Sequence, residues 1–482
     1  MTFEQLYNDA ANHMALGQFA EAIPVYEQAK KLQPAFARLY NDLGIALYNV
    51  GRLEEALLSY QTAIYITPFD YMPYMNLGVL MTQQERHGEA LAYYHFANTL
   101  QPNQAMVLAN IGDAYTKLSS FQNAEACLLR ALELEPKRGQ ALINMGTALW
   151  GLGRIDEAEQ MYVRAVDDVT TEAMAHKNIG ILALLRGNYR LGWAKYAWRF
   201  KADNVIDPCN NMPRWLGEEA PVTVFREQGI GDQILHASMF DDLSARGQPV
   251  TWETDIRLVP LFRRSFPTAT IVSASYQAIG TAATRYIPAA SLGGILRNDV
   301  ADFKGTPYLI ADGLRASALK QKLGERFTVG VSWASVGTQF AASKFVPLPA
   351  WDIIFKTASG QFVDLQYNSG ENDRAGSPLI DVPEIDKFND LDGLAALITA
   401  CDLVITISNV TAHLAAALGK ETWVIVPAGY GKFWYWGVEG GTTPWYKSVR
   451  LFRQEKPDDW SDVMLEIAQA LLERRLGPSP AP

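Results

Sequence analysis

Gln228-Gly229-Ile230-Gly231-Asp232 is the segment of this chain best placed to do chemistry. It joins a β-branched run, PVTVFRE (221–227), to a helical stretch, QILHASMFDDLSARG (233–247). Gly229 and Gly231 permit positive φ and let a ligand approach backbone N–H groups at a helix start. A carboxylate at that helix start, Asp232, is expected to be stabilised as the anion by the helix dipole and to face the cleft, where it could take a proton from a hydroxyl. The plainer role is a helix cap. His236 follows one turn later on the same face. It is either an auxiliary base or, more ordinarily, a satisfied core histidine.

Three further segments carry polar groups in useful places. Ser408-Asn409-Val410-Thr411-Ala412-His413 follows the strand-like LVITI and opens TAHLAAALG. Free N–H groups at such a helix start make an anion site, and Ser408, Asn409 and Thr411 can either cap or coordinate. Ser332, Ser335, Thr338 and Lys344 lie in the loop after GVSWAS, where a lysine could neutralise a leaving phosphate or simply be solvated. Tyr430, Lys432 and the aromatic run FWYW (433–436) precede TPWY (443–446). Aromatic density beside glycines suits stacking on a base or sugar, or a local aromatic core.

These segments need strands and helices to position them. PVTVFRE, PVTWET (249–254), TATIVSA (268–274) and PYLIAD (307–312) read as strands of one α/β half, over 221–314. RFTVGVSWAS, GQFVDLQY, CDLVITIS and ETWVIVP read as strands of a second half, over 315–476, with helices between them and a closing helix SDVMLEIAQALLERRL. The expectation is two Rossmann-like halves facing a cleft, a GT-B type architecture. Residues 201–220 read as a linker and 477–482 as a loose tail.

The first 200 residues repeat. Pro34, Pro68, Pro102 and Pro136 stand 34 apart, as do Ala22, Ala56, Ala90, Ala124 and Ala158, and Gly44, Gly78, Gly112, Gly146 and Gly180. Each unit reads as two amphipathic helices that cross at small residues and, in most units, close on a proline. This resembles the tetratricopeptide (TPR) pattern over about six units (1–200), giving an all-α superhelix. The last unit loses its proline and gains aromatics, so Trp193, Trp198 and Phe200 are expected to pack on the following domain. Asn8, Asp42, Asn76, Asn110, Asn144 and Asn178 share the same 34-residue register. Carboxamides on the first helix of each unit could clamp a peptide backbone or bond helix to helix, and Asp42 lacks the donor. The row resembles the asparagine ladder of the O-GlcNAc transferases.

REQGIGDQIL, CDLVITISNVTAHLAAALGKETWVIVP and WYW…TPWYKSVRLFRQ resemble bacterial TPR-fused GT-B glycosyltransferases. That family is related to the heptosyltransferases and is similar to flagellin glycosyltransferases, which add nonulosonic acids. The resemblance implies that Asp232 is the general base and that Lys344 contacts the donor phosphates. It makes residues 408–413 the donor loop, and it implies an inverting reaction. Ser408 departs from the aspartate that heptosyltransferases carry there, which speaks against a heptose donor.

Composition sets the remaining limits. The 482 residues are 49% hydrophobic and 20% charged with a net charge of −10, ordinary globular material without a basic stripe for nucleic acid. Cys127, Cys209 and Cys401 are far apart, so no disulfide framework or cysteine metal site is expected. No signal peptide or membrane-spanning run is read, so a cytoplasmic bacterial protein is expected. The functional expectation is a metal-independent transferase. It would move sugar from a UDP-, ADP- or CMP-linked donor, without other cofactor, to Ser or Thr of an acceptor protein such as flagellin docked on the repeats. The alternative is a repeat adaptor with a degenerate GT-B half.

Overall fold

The computed structural model describes the chain except for residues 274–282, 336–343, 358–359, 368–369, 371, 430–431, 458 and 477–482. It divides into two compact units, Met1–Glu172 and Ala173–Pro482.

The first unit is all-α and of the tetratricopeptide type. Its helices are α1 (Phe3–Ala15), α2 (Phe19–Leu32), α3 (Ala37–Asn49), α4 (Leu53–Ile66), α5 (Tyr71–Gln83), α6 (His87–Leu100), α7 (Ala105–Lys117), α8 (Phe121–Leu134), α9 (Gly139–Gly151) and α10 (Ile155–Ala165). They pack as successive pairs, α1 on α2 through α9 on α10. The repeated glycine explains the pairing. A Cβ on Gly44 would stand 2.5 Å from the Tyr60 ring, and one on Gly146 would stand 2.5 Å from Tyr162. Gly78 meets Tyr94, and Gly112 meets Leu128, in the same register. Ala22, Ala56, Ala90, Ala124 and Ala158 are all fully buried on the second helices. Pro34, Pro68, Pro102 and Pro136 each follow a helix C-cap, where the missing N–H has no ladder partner to lose.

The second unit begins with α11 (Glu172–Leu185), α12 (Tyr189–Tyr196) and α13 (Arg199–Ala202). The repeat pattern therefore runs past the unit boundary, and its aromatic end explains why. Trp193 is buried, lies against Gly293 and donates Nε1–H to the Arg297 carbonyl at 2.7 Å. Trp198 packs at a tilt against His176 instead, with ring centres 4.6 Å apart. The expected linker is also tied down: Trp215 is buried, and its N–H donates to the Tyr286 carbonyl at 3.0 Å.

Two parallel sheets follow. In the first, β1 (Val222–Phe225), β2 (Val250–Glu253), β3 (Ala269–Val272) and β4 (Arg285–Pro288) lie in the order β3-β2-β1-β4. Val222 pairs with Val250 on one side and with Arg285 on the other. In the second, β5 (Thr328–Ser332), β6 (Gln361–Asp364), β7 (Leu379–Ile380), β8 (Leu403–Ile407), β9 (Thr422–Val426) and β10 (Val449–Arg453) run β10-β9-β8-β5-β6-β7. β1, β5, β8 and β9 are buried along their whole length, as strands covered on both faces must be.

The helices are α14 (Ile230–Ala237), α15 (Phe240–Ser244), α16 (Val259–Ser265), α17 (Gly293–Leu296), α18 (Gly313–Leu323), α19 (Asp352–Thr357), α20 (Leu391–Ala400), α21 (Val410–Ala417) and α22 (Ser461–Leu476). Two readings are corrected. PYLIAD is not a strand: Tyr308 and Leu309 donate their N–H groups to the carbonyl of Ala417, the last residue of α21, and not to a sheet. The fourth strand of the first sheet is RYIP (285–288), whose proline and arginine hid it. The helical stretch after Asp232 is broken between α14 and α15.

Candidate functional site

Within the second unit, a cleft of ≈ 380 Å³ is lined from both sheets at the carboxyl ends of their strands. The first sheet supplies Gly229, Ile230, Gly231, Asp232 and Arg257. The second supplies Ser335, Lys344, Tyr367, Lys387, Phe388, Leu391, Ser408, Asn409, Val410, His413, Phe433 and Tyr435. Crevices of this kind are where open parallel α/β sheets hold ligands.

Gly229 is the N-cap of α14, and its N–H donates to Asp232 Oδ2 at 3.3 Å. Asp232 is thus both cap and cleft residue. Burial pushes its carboxyl up to about 6, against the Gly229 N–H and Lys344, which favour the anion, while Glu227 disfavours it. Lys344 is 8% exposed, and its ammonium lies 4.4 Å from the centre of the Phe433 ring. Burial brings it down to about 8, opposed by the attraction of Asp232. The pair can exchange between charged and neutral forms near neutral pH, which suits proton transfer beside a developing anion.

His413 closes the cleft floor. Its Nδ1 is 3.0 Å from the Tyr446 hydroxyl, and its ring stacks on Trp436 at 5.2 Å. Burial, with Lys344 nearby, lowers it to about 3, so it is neutral. His236 is fully buried, does not line the cleft, and has no hydrogen-bond partner on either ring nitrogen among the described residues. Burial lowers it to about 3 as well.

Several expected donor contacts are internal bracing. Ser408 lines the cleft, but its Oγ accepts from Trp436 Nε1 at 2.8 Å. Asn409 spends its carbonyl capping Ala412 N (3.2 Å), and its amide binds Ser332 Oγ (2.7 Å) and the Ala334 carbonyl (3.0 Å). Ser332 is fully buried and donates to Gln366 Oε1 at 2.9 Å, and Thr411 is fully buried too, so neither reaches the cleft. Lys432 donates to the Val438 carbonyl at 3.0 Å and is not a lining residue. Strand ends buried on both faces must satisfy their polar side chains internally, and that requirement claims these groups. Thr338, Tyr430 and Gly431 lie outside the described residues.

Sequence reasoning missed Arg257, Tyr367, Lys387 and Phe388. Arg257 pairs with Asp255 at 2.8 Å, donates to the Phe388 carbonyl at 3.3 Å and lies 4.9 Å from the Phe388 ring centre. Lys387 is held by Asp364 (2.7 Å) and Asp381 (2.9 Å). Arg264 grips Asp392 at the first turn of α20 with two bonds of 2.6 and 2.8 Å. The available signal was DLQY after a buried strand and the charged DKFND before α20. Its partners lie in distant segments, so spacing alone could not expose it.

The ladder residues sit on α1, α3, α5, α7, α9 and α11 as expected, but unevenly. Asn8 is exposed, Asp42 and Asn110 are half-buried, and Asn76, Asn144 and Asn178 are buried. Asn76 Nδ2 donates to Asn41 Oδ1 at 2.8 Å, and Asp42 accepts from the Tyr7 hydroxyl. No group of three or more His, Cys, Asp or Glu able to hold a metal occurs among the described residues. No helix among them is long and apolar enough to cross a membrane.

Comparison with known proteins bears chiefly on the repeats. A protein-family profile described as the C-terminal domain of cilia and flagella-associated protein 70 matches residues 9–179. Protein FlbA of Caulobacter vibrioides is 31% identical over 322 residues, covering 60% of this chain and 53% of that protein. The chain therefore spans about half the length of this curated relative. Among solved structures, the APC/C hetero-tetramer Cut9–Hcn1 is 18% identical with a TM-score of 0.40, covering 42% of this chain and 40% of that one. A tetratricopeptide repeat protein from Parabacteroides merdae is 21% identical with a TM-score of 0.36, over 42% and 79%. PilF of Pseudomonas aeruginosa is 18% identical with a TM-score of 0.37, over 41% and 90%.

Proposed function

We propose that this chain is a metal-independent protein glycosyltransferase of the GT-B type. The observation that supports it is the facing of Asp232 and Lys344 in a cleft lined by both parallel sheets. Tetratricopeptide-type repeats suit a protein-binding scaffold, so the acceptor is a protein, flagellin among the candidates, and the repeats raise the local concentration of its Ser or Thr hydroxyl. Asp232 takes the hydroxyl proton. The oxygen attacks the anomeric carbon from the face opposite the leaving group, and the bond from that carbon to the phosphate oxygen breaks. Lys344 and the backbone N–H groups at the start of α21 stabilise the departing nucleoside phosphate. Inversion follows from a single displacement.

The test is incubation of full-length protein with candidate acceptors and UDP-, ADP- and CMP-sugars, followed by intact mass. A sugar increment that disappears in Asp232→Asn supports the reading; no increment with any donor removes it. One observation favours a second reading, a repeat adaptor with a degenerate cleft: the side chains of Ser408 and Asn409 are already engaged within the protein. Calorimetric titration with the same nucleotides separates the two, because the adaptor binds none.

A further inference from the structure

The last repeat-type helices grip the turn that leads into the cleft residues Gly229–Asp232. Arg199, which opens α13, is buried and places Nε and Nη2 on the two Glu227 carboxylate oxygens, both at 2.8 Å. Its Nη2 also reaches Ser291 Oγ at 2.8 Å, and Glu227 Oε1 accepts from Ala290 N at 2.7 Å. Glu227 immediately precedes Gln228, whose φ of 63° is left-handed for a non-glycine residue. The Gln228 amide in turn donates to the Tyr196 hydroxyl at the end of α12.

Tyr196 occupies the repeat position of Tyr60, Tyr94 and Tyr162, sixteen residues after the helix-crossing glycine. In the earlier repeats, the hydroxyls of Tyr94 and Tyr162 stay within their own repeats, on Thr82 and Thr147. In the last repeat, Gly180 faces the backbone of Tyr196 instead of its ring, and the hydroxyl holds Gln228. A repeat side chain has been turned to a new task.

The geometry points to Arg199 and Tyr196 as positioning residues for Asp232: they fix the Glu227–Gln228 turn from which α14 starts, and so set the place and surroundings of its carboxylate. The catalytic meaning of this rests on the transferase reading above. A left-handed turn at a non-glycine residue persists only where its neighbours enforce it, and these two side chains do so here. The groups acting on Asp232 are Glu227 on its own turn, the Gly229 N–H, and Lys344 from the second sheet, while Tyr196, Tyr435 and Tyr446 feel its charge and stay neutral. Arg257, Lys387 and the neutral His413 line the same cleft. Removing the Arg199 charge leaves Glu227 uncompensated and favours the protonated acid. Removing the Glu227 charge does the reverse.

The experiment uses full-length protein with ¹³C-labelled aspartate, the Asp232 resonance being assigned with Asp232→Asn. Arg199→Met should raise the Asp232 titration midpoint and Glu227→Gln should lower it, each on the order of half a pH unit, and the double variant should return near the starting value. Tyr196→Phe, which keeps the ring, should lower the transfer rate about fivefold with the donor KM unchanged. Opposite shifts in a protein that transfers no sugar would sustain the positioning role and remove the transferase reading. An active enzyme whose folded single variants leave the midpoint unmoved, or move it the same way, would overturn the positioning role. If Arg199→Met fails to fold, an active Tyr196→Phe enzyme with an unchanged transfer rate overturns the positioning role in its place.

Discussion

Gly231 and His413 meet backbone to ring across the cleft: a methyl group on Gly231 would stand 3.0 Å from His413 Cδ2. The two residues belong to α14 and α21, one from each sheet's half of the second unit. His413 has little room to yield, since it is stacked on Trp436 and bonded to Tyr446. Gly231→Ala should therefore lower stability by about 1–2 kcal/mol, read in a denaturant melt, and slow any reaction in the cleft.

Asp232 makes the pH behaviour of the protein predictable. Its folded value, about 6, lies above the ordinary 3.8. Between those values the folded state holds a proton that the unfolded chain has released, so stability falls as pH rises through this window and is flat above it. Asp232→Asn removes the effect. It should melt like wild type below pH 4 and be more stable by up to about 3 kcal/mol at pH 7–8, while abolishing transfer. On the proposed transferase function, the transfer rate should fall about tenfold per pH unit below 6, which a pH–rate profile reads.

Lys344 carries the opposite limb. Burial brings it down to about 8, so it is an ammonium below that pH and neutral above. Nucleoside diphosphate affinity, measured by calorimetry, should fall by up to tenfold per unit above pH 8. Lys344→Met should lower affinity roughly 10- to 100-fold at pH 7 and remove that dependence.

Ser408 separates a brace from a ligand contact. Its hydroxyl holds the Trp436 indole, so Ser408→Ala should cost about 1 kcal/mol of stability and change nucleotide affinity less than threefold. Ser408→Asp places a carboxylate at a buried position and should destabilise by several kcal/mol. A large affinity loss in a stable Ser408→Ala protein would return Ser408 to the ligand.

The repeat asparagines should divide by burial. Asn8→Ala and Asn110→Ala should weaken capture of an acceptor protein at unchanged melting temperature. Asn76→Ala breaks a buried bond to Asn41 and should cost about 1–2 kcal/mol, because the Asn41 acceptor is left without its donor.

The chain's local patterns determined most of its elements, the exceptions being the strand at RYIP in place of PYLIAD and the break between α14 and α15. A 34-residue period specifies helix pairs because glycine, alanine and proline each act within one pair: Gly44 admits Tyr60, and Pro34 ends a helix wherever the pair is placed. The β-branched runs specify buried strands for the same local reason, and Gly229 to Asp232 and Ser408 to His413 were legible as helix starts in a cleft. Tertiary structure decided which polar groups remain available there. Ser332 and Asn409 lie 77 residues apart yet satisfy each other. Arg257 meets Phe388 over 131 residues, and Arg199 meets Glu227 from a repeat-type helix. A buried hydrogen bond is claimed by whichever partner the packing brings within about 3 Å, and one-dimensional spacing holds no record of that competition.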